Sequence, residues 1–311
     1  MGDRNSPAQL SQAGQHPSQK SADISLDYRF TMIRGNTIPF SFDRCTFSPY
    51  FNRRSAIDSP EPLGMHFIDQ LKYRLYLKLI PILPYRLICA RQQVAWAYLK
   101  GNGIEIGALH NPLPLPRKAR TIYVDRMSVP DLKQHYAEFK NLKLAPVSII
   151  ANGETLEALA DQSQDFVIGN HLIEHAQDPI KMLKNWLRVL RPGGVIFMAV
   201  PDKRFTFDQN RPSTSIEHLI RDHRDGPTAS RRDHYREWVE IVTHRLPPGN
   251  EEAIDQLDRN DHSIHFHVWD TPEFIEWLLY CRSFYNLPFE PTLIRRNGNE
   301  TIFILSKAQS A

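Results

Sequence analysis

Glu105, Gly107 and Asp125 have the types and spacing of a nucleoside site. Gly103-Ile104-Glu105-Ile106-Gly107 reads as a buried strand entering a tight turn, and Tyr123-Val124-Asp125 as a neighbouring strand ending in a carboxylate. The interval from Glu105 to Asp125 is roughly the 20 residues that separate these positions in an open parallel sheet. A carboxylate at such a strand tip can accept hydrogen bonds from both hydroxyls of a ribose.

The turn itself narrows the ligand. A dinucleotide site needs G-x-G-x-x-G, so that main-chain amides and a helix N-terminus can cradle a pyrophosphate. Here Gly107 is followed by Ala108-Leu109-His110-Asn111-Pro112. S-adenosylmethionine has the ribose and adenine without a phosphate, and its ammonium and sulfonium favour a carboxylate such as Glu105 nearby. It is the expected cofactor, in preference to NAD.

Histidines supply the second set of reactive groups. His171, Glu174 and His175 follow a candidate strand, and His262, His265 and His267 lie in a late segment. An imidazole near its ordinary pKa of ~6.5 can take a proton from a hydroxyl at neutral pH. His171, His175, His265 and His267 are therefore the candidate catalytic residues. Two patterns also invite a metal. His171-Leu172-Ile173-Glu174-His175 matches H-x-x-E-H, which makes a zinc-dependent hydrolase using His171, Glu174 and His175 the rival enzyme. His265 and His267 would share one face of a strand. The hydrolase motif needs both histidines on one helix, however, and Asp178-Pro179 reads as the helix start, so no resident metal is assigned.

The elements that must position these groups alternate. Strands are expected at 103–107, 121–125, 146–151, 165–170 and 195–200, and a last, antiparallel one at 301–305 follows a helix over 271–281. The helix between the fourth and fifth strands is the clearest: Asp178 caps it, Pro179 suits its first turn, Met182, Leu183, Trp186, Leu187, Val189 and Leu190 form its apolar face, and Pro192-Gly193-Gly194 ends it. The pattern implies an α/β, Rossmann-like, doubly wound and mostly parallel sheet over 101–308, with the site at the carboxyl ends of its strands. A polar, helical insertion at 202–262 should hang over that end. Within it, Asp202, Arg204, Phe205, Phe207 and Asp208 suit a polar, hydroxylated acceptor.

Residues 1–24 are rich in Ser, Gln, Ala and Pro and are expected to be a disordered tail. An N-terminal extension at 25–100 follows, with aromatic residues scattered over 27–62 and a basic helical segment at 65–100. The latter reads as a cap on the catalytic domain, or as a peripheral contact with anionic lipid. The stretch 75–90 is too interrupted to span a bilayer, and no secretory signal precedes it. With 38 basic against 35 acidic residues, the net charge of +3 gives no electrostatic reason to expect nucleic acid. Cys45, Cys89 and Cys281 form no disulfide framework, which favours a reducing, cytoplasmic setting. The oligomeric state has no signature.

Five segments in order resemble the class I S-adenosylmethionine-dependent methyltransferases, in particular the bacterial type 11 group. They are Glu105-Ile106-Gly107, Asp125, Asn152-Gly153-Glu154-Thr155-Leu156, Asp165-Phe166-Val167-Ile168-Gly169-Asn170-His171 and Leu190-Arg191-Pro192-Gly193-Gly194. The resemblance covers about 101–201. It implies that Glu105, Gly107 and Ala108 line the methionine and ribose side, that Asp125 holds the ribose and that Asn152, Gly153 and Glu154 border the adenine. Asn170 and His171 would flank the methyl group. This chain departs from the group in having Leu109 where a second glycine is usual, and Asn152 where an aspartate is common. Sequences of this type also resemble methyltransferases of bacterial cell-surface glycan assembly. The expected acceptor is accordingly a polar small molecule or a saccharide or glycolipid, methylated on oxygen. A non-catalytic nucleoside-binding protein on the same fold is the alternative.

Overall fold

The computed structural model describes residues 90–243 and 250–309. The expected tail, the aromatic stretch 27–62 and the basic segment up to residue 89 lie outside the described residues. From that segment, helix α1 (Ala90–Tyr98) is described, and its Arg91 is not part of a solvated basic face: it pairs with Glu300.

Seven strands form one sheet: β1 (Gly101–Ile106), β2 (Ala119–Asp125), β3 (Val147–Ile150), β4 (Gln164–Asn170), β5 (Leu190–Pro201), β6 (Phe289–Asn297) and β7 (Glu300–Lys307), in the order β3-β2-β1-β4-β5-β7-β6. The first five are parallel, and β7 runs antiparallel to β5 as expected. The strand order reverses between β1 and β4, which opens a crevice at their carboxyl ends.

Sequence reasoning missed β6, an antiparallel edge strand on β7. Asn297-Gly298, with Gly298 at φ +64°, makes the tight connection and is the hairpin signal that could have disclosed it. A second correction concerns the strongest predicted helix. Asp178 accepts from the Lys181 N–H and Pro179 opens α3 (Pro179–Val189), but Pro192-Gly193-Gly194 does not terminate it. The helix stops at Val189, and Leu190 already pairs with Gln164 at the irregular start of β5.

Alternation along the strands divides the core between the two faces of the sheet. Ile104, Ile106, Val124, Val167 and Met198 pack with α3 and with α7 (Thr271–Phe284), while Phe166, Ile168, Phe197 and Ile304 pack on Val94 and Ala95 of α1. Gly169 is required by this packing, since a Cβ there would lie 2.3 Å from the Trp186 ring.

After β5 come α4 (Ile216–Asp225), α5 (Thr228–Glu237) and α6 (Glu251–Arg259). α5 and α6 enclose a small core of their own around Tyr235, Val239, Ile254, Leu257, Ile264 and Phe266, whereas Leu219 of α4 packs into the main core. Arg126, just past β2, bonds Asp261 at 3.0 Å, and His175, past β4, meets Ser263 at 3.0 Å. The insertion is thus tied to the carboxyl ends of the central strands.

Candidate active site

The loop after β1 turns at Gly107, whose φ of +64° favours glycine. Leu109, at the position of the missing second glycine, also has a positive φ, +48°. The turn therefore keeps a glycine-like backbone instead of widening, and the Ala145 N–H holds it by donating to the Leu109 carbonyl at 2.7 Å. Asp125, at the tip of β2, is only 8 % exposed, and its carboxylate accepts from the main-chain N–H groups of Arg126 and Met127. Burial nevertheless raises its pKa. Ala108, Leu109, Tyr123, Asp125, Leu132 and Ala145 are among the residues lining a small cavity there.

Glu105 and Asp125 lie at the same end of adjacent strands, as the β1–β2 register requires, but their roles differ. Both oxygens of Glu105 take the Leu113 N–H, at 2.9 and 3.2 Å, so the side chain anchors the returning loop beneath the turn and is not among the cavity lining. Burial pushes its carboxyl up to about 7, against the lowering effects of the Leu113 N–H and the Arg91 charge.

The loop after β3 serves largely as internal bracing. Asn152 accepts from the Glu154 N–H at 2.7 Å, an Asx turn. The Gly153 carbonyl receives the Trp186 Nε1–H. Glu154 accepts from the Gln177 and Asp178 N–H groups at the start of α3 rather than facing an adenine. Asn170 accepts from the Ala199 N–H, which ties β4 to β5.

The H-x-x-E-H run does not form one helical turn. Residues 173–175 make a single short turn, His171 has φ +49°, and its Nε2 lies 2.7 Å from Glu300. His175 points away from it, to Ser263 and edge-on to His265. The triad His171, Glu174 and His175 is therefore not assembled as the hydrolase reading requires.

Instead, His265 joins Glu174 and His175, with ligand-capable atoms within 4.8 Å of one another. His265 Nδ1 is 2.7 Å from Asp208 Oδ2. Asp208 is held by the buried Arg211, which also bonds Glu237 and the His265 carbonyl. Burial would raise the Asp208 pKa, but His265 and Arg211 outweigh it and hold the carboxyl low. An ionised carboxylate can only accept, so the His265 Nδ1 carries the proton and Nε2 offers a lone pair. Glu174, Lys203, Asp208 and His265 line a narrow cleft. Glu174 is 1 % exposed, both of its oxygens lack hydrogen bonds, and burial raises its pKa. Burial, with the neighbouring His265 and His171, drives the His175 pKa well down.

His265 and His267 do not share a function. The segment 263–270 is irregular, not a strand, and the Nε2 of His267 lies 3.4 Å from the Gln177 carbonyl oxygen and 3.9 Å from Asp222, in a cluster with His218 and His234. Sequence reasoning missed Asp208, Arg211 and Glu300 as partners. Asp208 lies 57 residues from His265, and Glu300 129 residues from His171; local pattern carries no trace of such pairings.

Residues 102–198 match the family described as Methyltransferase domain. Among curated proteins, the thiol S-methyltransferases TMT1B of Mus musculus and Homo sapiens are each 45 % identical over 49 residues, 16 % of this chain and 20 % of theirs. An uncharacterized protein of Methanocaldococcus jannaschii is 34 % identical over 104 residues, 33 % of this chain and 46 % of its own. The chain thus spans less than half the length of these relatives. Among solved structures, a SAM-dependent methyltransferase from Methanosarcina mazei overlaps with a TM-score of 0.38 and 18 % identity, over 69 % of this chain and 96 % of that one. The CurJ carbon methyltransferase gives a TM-score of 0.38 and 11 % identity, over 78 % and 54 %. The segment running from β1 into β5 thus matches a methyltransferase domain.

Proposed function

We propose that the protein transfers the methyl group of S-adenosylmethionine to a hydroxyl of a polar small molecule, a saccharide or a glycolipid. The observation that carries this reading is the buried carboxylate of Asp125 at the tip of β2, beside the turn that Gly107 makes after β1. Methyl transfer from a sulfonium is an in-line displacement, and alignment of the nucleophile with the methyl group supplies much of its acceleration. A hydroxyl acceptor also has a proton to lose. His265, oriented through Nδ1 by Asp208, presents Nε2 to receive it. The cleft between β5 and the segment 263–270 is the acceptor side, and Lys203 and Glu174 give it polar walls.

Calorimetric titration with S-adenosylhomocysteine tests the cofactor half: saturable heat is expected, and none at millimolar ligand overturns it. Incubation with methyl-labelled cofactor and two acceptor panels tests the other half. Label on sugar hydroxyls supports this reading. Label confined to small thiols would favour the chemistry named for the TMT1B relatives. The setting belongs to the same proposal: a cytoplasmic enzyme, supported by the scattered cysteines, with a peripheral contact at the inner membrane face suggested by the basic composition of residues 65–89.

A further inference from the structure

His218, Asp222, His234 and His267 come from three separate parts of the fold. His218 and Asp222 stand one turn apart on α4, His234 is on α5, and His267 lies in the segment that returns to the sheet. Gly226, at φ +88°, ends α4 and lets α5 fold back so that the side chains meet. Asp222 Oδ2 is 3.0 Å from His218 Nε2, 3.7 Å from His234 Nε2 and 3.9 Å from His267 Nε2, and the His218 and His234 Nε2 atoms are 3.1 Å apart. A tetrahedral zinc ion with bonds near 2.0–2.1 Å needs ligand atoms about 3.3 Å apart. The observed separations straddle that value.

The surroundings fit a closed site. Asp222 is 2 % exposed and His267 fully buried, and Asp222 Oδ2 faces the Nε2 atoms of three imidazoles inside the fold. Two contacts oppose binding: His267 Nε2 lies 3.4 Å from the Gln177 carbonyl oxygen, and the exposed Arg221 donates to His218 Nδ1 at 2.7 Å, which places the ring proton on Nε2. Ligation through Nε2 requires that proton to move to Nδ1 and Arg221 to swing into solvent.

We propose that His218, Asp222, His234 and His267 bind one zinc ion, a structural site that clamps α4 and α5 of the insertion to the segment carrying His265. Four protein ligands leave no open position for catalysis, so the ion acts on His265 through the backbone. The site is separate from Glu174, His175 and His265, and its existence does not depend on the acceptor or on methyl transfer.

The test is elemental analysis of the purified full chain, with zinc competition against a chromophoric chelator and thermal melting. One zinc per chain is expected, and removal by chelator should lower the Tm, with recovery on adding zinc. H218N and D222N should each bind zinc at least tenfold more weakly, H175N should keep full stoichiometry, and R221Q should bind more tightly. Cobalt substitution should give the intense visible absorption of a tetrahedral ion, a readout on the unaltered chain that holds even if a variant misfolds. Zinc binding unchanged in H218N and D222N, or no zinc and no tetrahedral cobalt spectrum in the wild-type protein, overturns the assignment.

Discussion

In the proposed reaction binding rests on Asp125 and chemistry on His265, and the two roles separate experimentally. Asp125→Ala removes the ribose acceptor and should weaken S-adenosylhomocysteine by at least about 1 kcal/mol, read by calorimetry on protein with an unaltered melting profile. Unchanged affinity would mean the nucleoside binds elsewhere. His265→Ala should lower kcat toward a hydroxyl acceptor by ~100-fold or more, while leaving S-adenosylhomocysteine affinity intact. Asp208→Asn should reproduce part of that loss, because an amide can donate to Nδ1 and so favour the wrong tautomer. A variant at 265 that loses cofactor affinity and kcat together would point to a collapsed insertion instead of a missing base.

At the scale of elements, the central strands are fixed by how closely they approach α3. Gly169 faces the Trp186 ring, and Trp186 also donates to the Gly153 carbonyl, so one side chain links β4, α3 and the loop after β3. Gly169→Ala must displace that ring, and chemical denaturation should show a loss of about 1–3 kcal/mol. Less than about 0.5 kcal/mol would mean that α3 shifts freely on the sheet. Sequence periodicity disclosed α3 because its apolar stripe and its Asp178-Pro179 start are local. It overlooked β6, whose alternating burial is weakly marked in residue type: Pro291, Arg295 and Arg296 dilute the apolar face of an edge strand.

Across the whole molecule, Glu300 joins the two ends of the described fold, with Arg91 of α1 in a bidentate pair on one side and His171 at the end of β4 on the other. Burial would raise its pKa, but Arg91 and His171 outweigh it and bring the carboxyl down to about 2. The sign follows from linkage. A carboxyl depressed in the folded state stabilises the fold above its unfolded pKa, 4.5, and that contribution is lost as pH falls from there through about 2. Glu300→Gln should therefore flatten the fall in Tm between pH 5 and 2. Glu105 acts in the opposite sense: with a folded pKa of about 7, its contribution is full below 4.5 and is lost as pH rises through 7. If the acid limb of Glu300→Gln matches wild type, another carboxylate governs unfolding. No helix among the described residues is long and apolar enough to cross a membrane.

Wherever neighbours in the chain are neighbours in space, the sequence was sufficient. The parallel strands, the Gly107 turn, the carboxylate at the tip of β2 and the capped α3 all follow from short-range pattern, because strand alternation, helix periodicity and turn stereochemistry act within a few residues. The partners of polar side chains were decided by the folded chain alone. Whether Glu105 faces a ligand or a loop amide, and which cluster claims His265 or His267, depends on groups brought from 8 to 129 residues away. Burial makes those pairings obligatory, since an unpaired charge or donor inside the fold is expensive. Only the packing of the sheet determines which partner lies within reach.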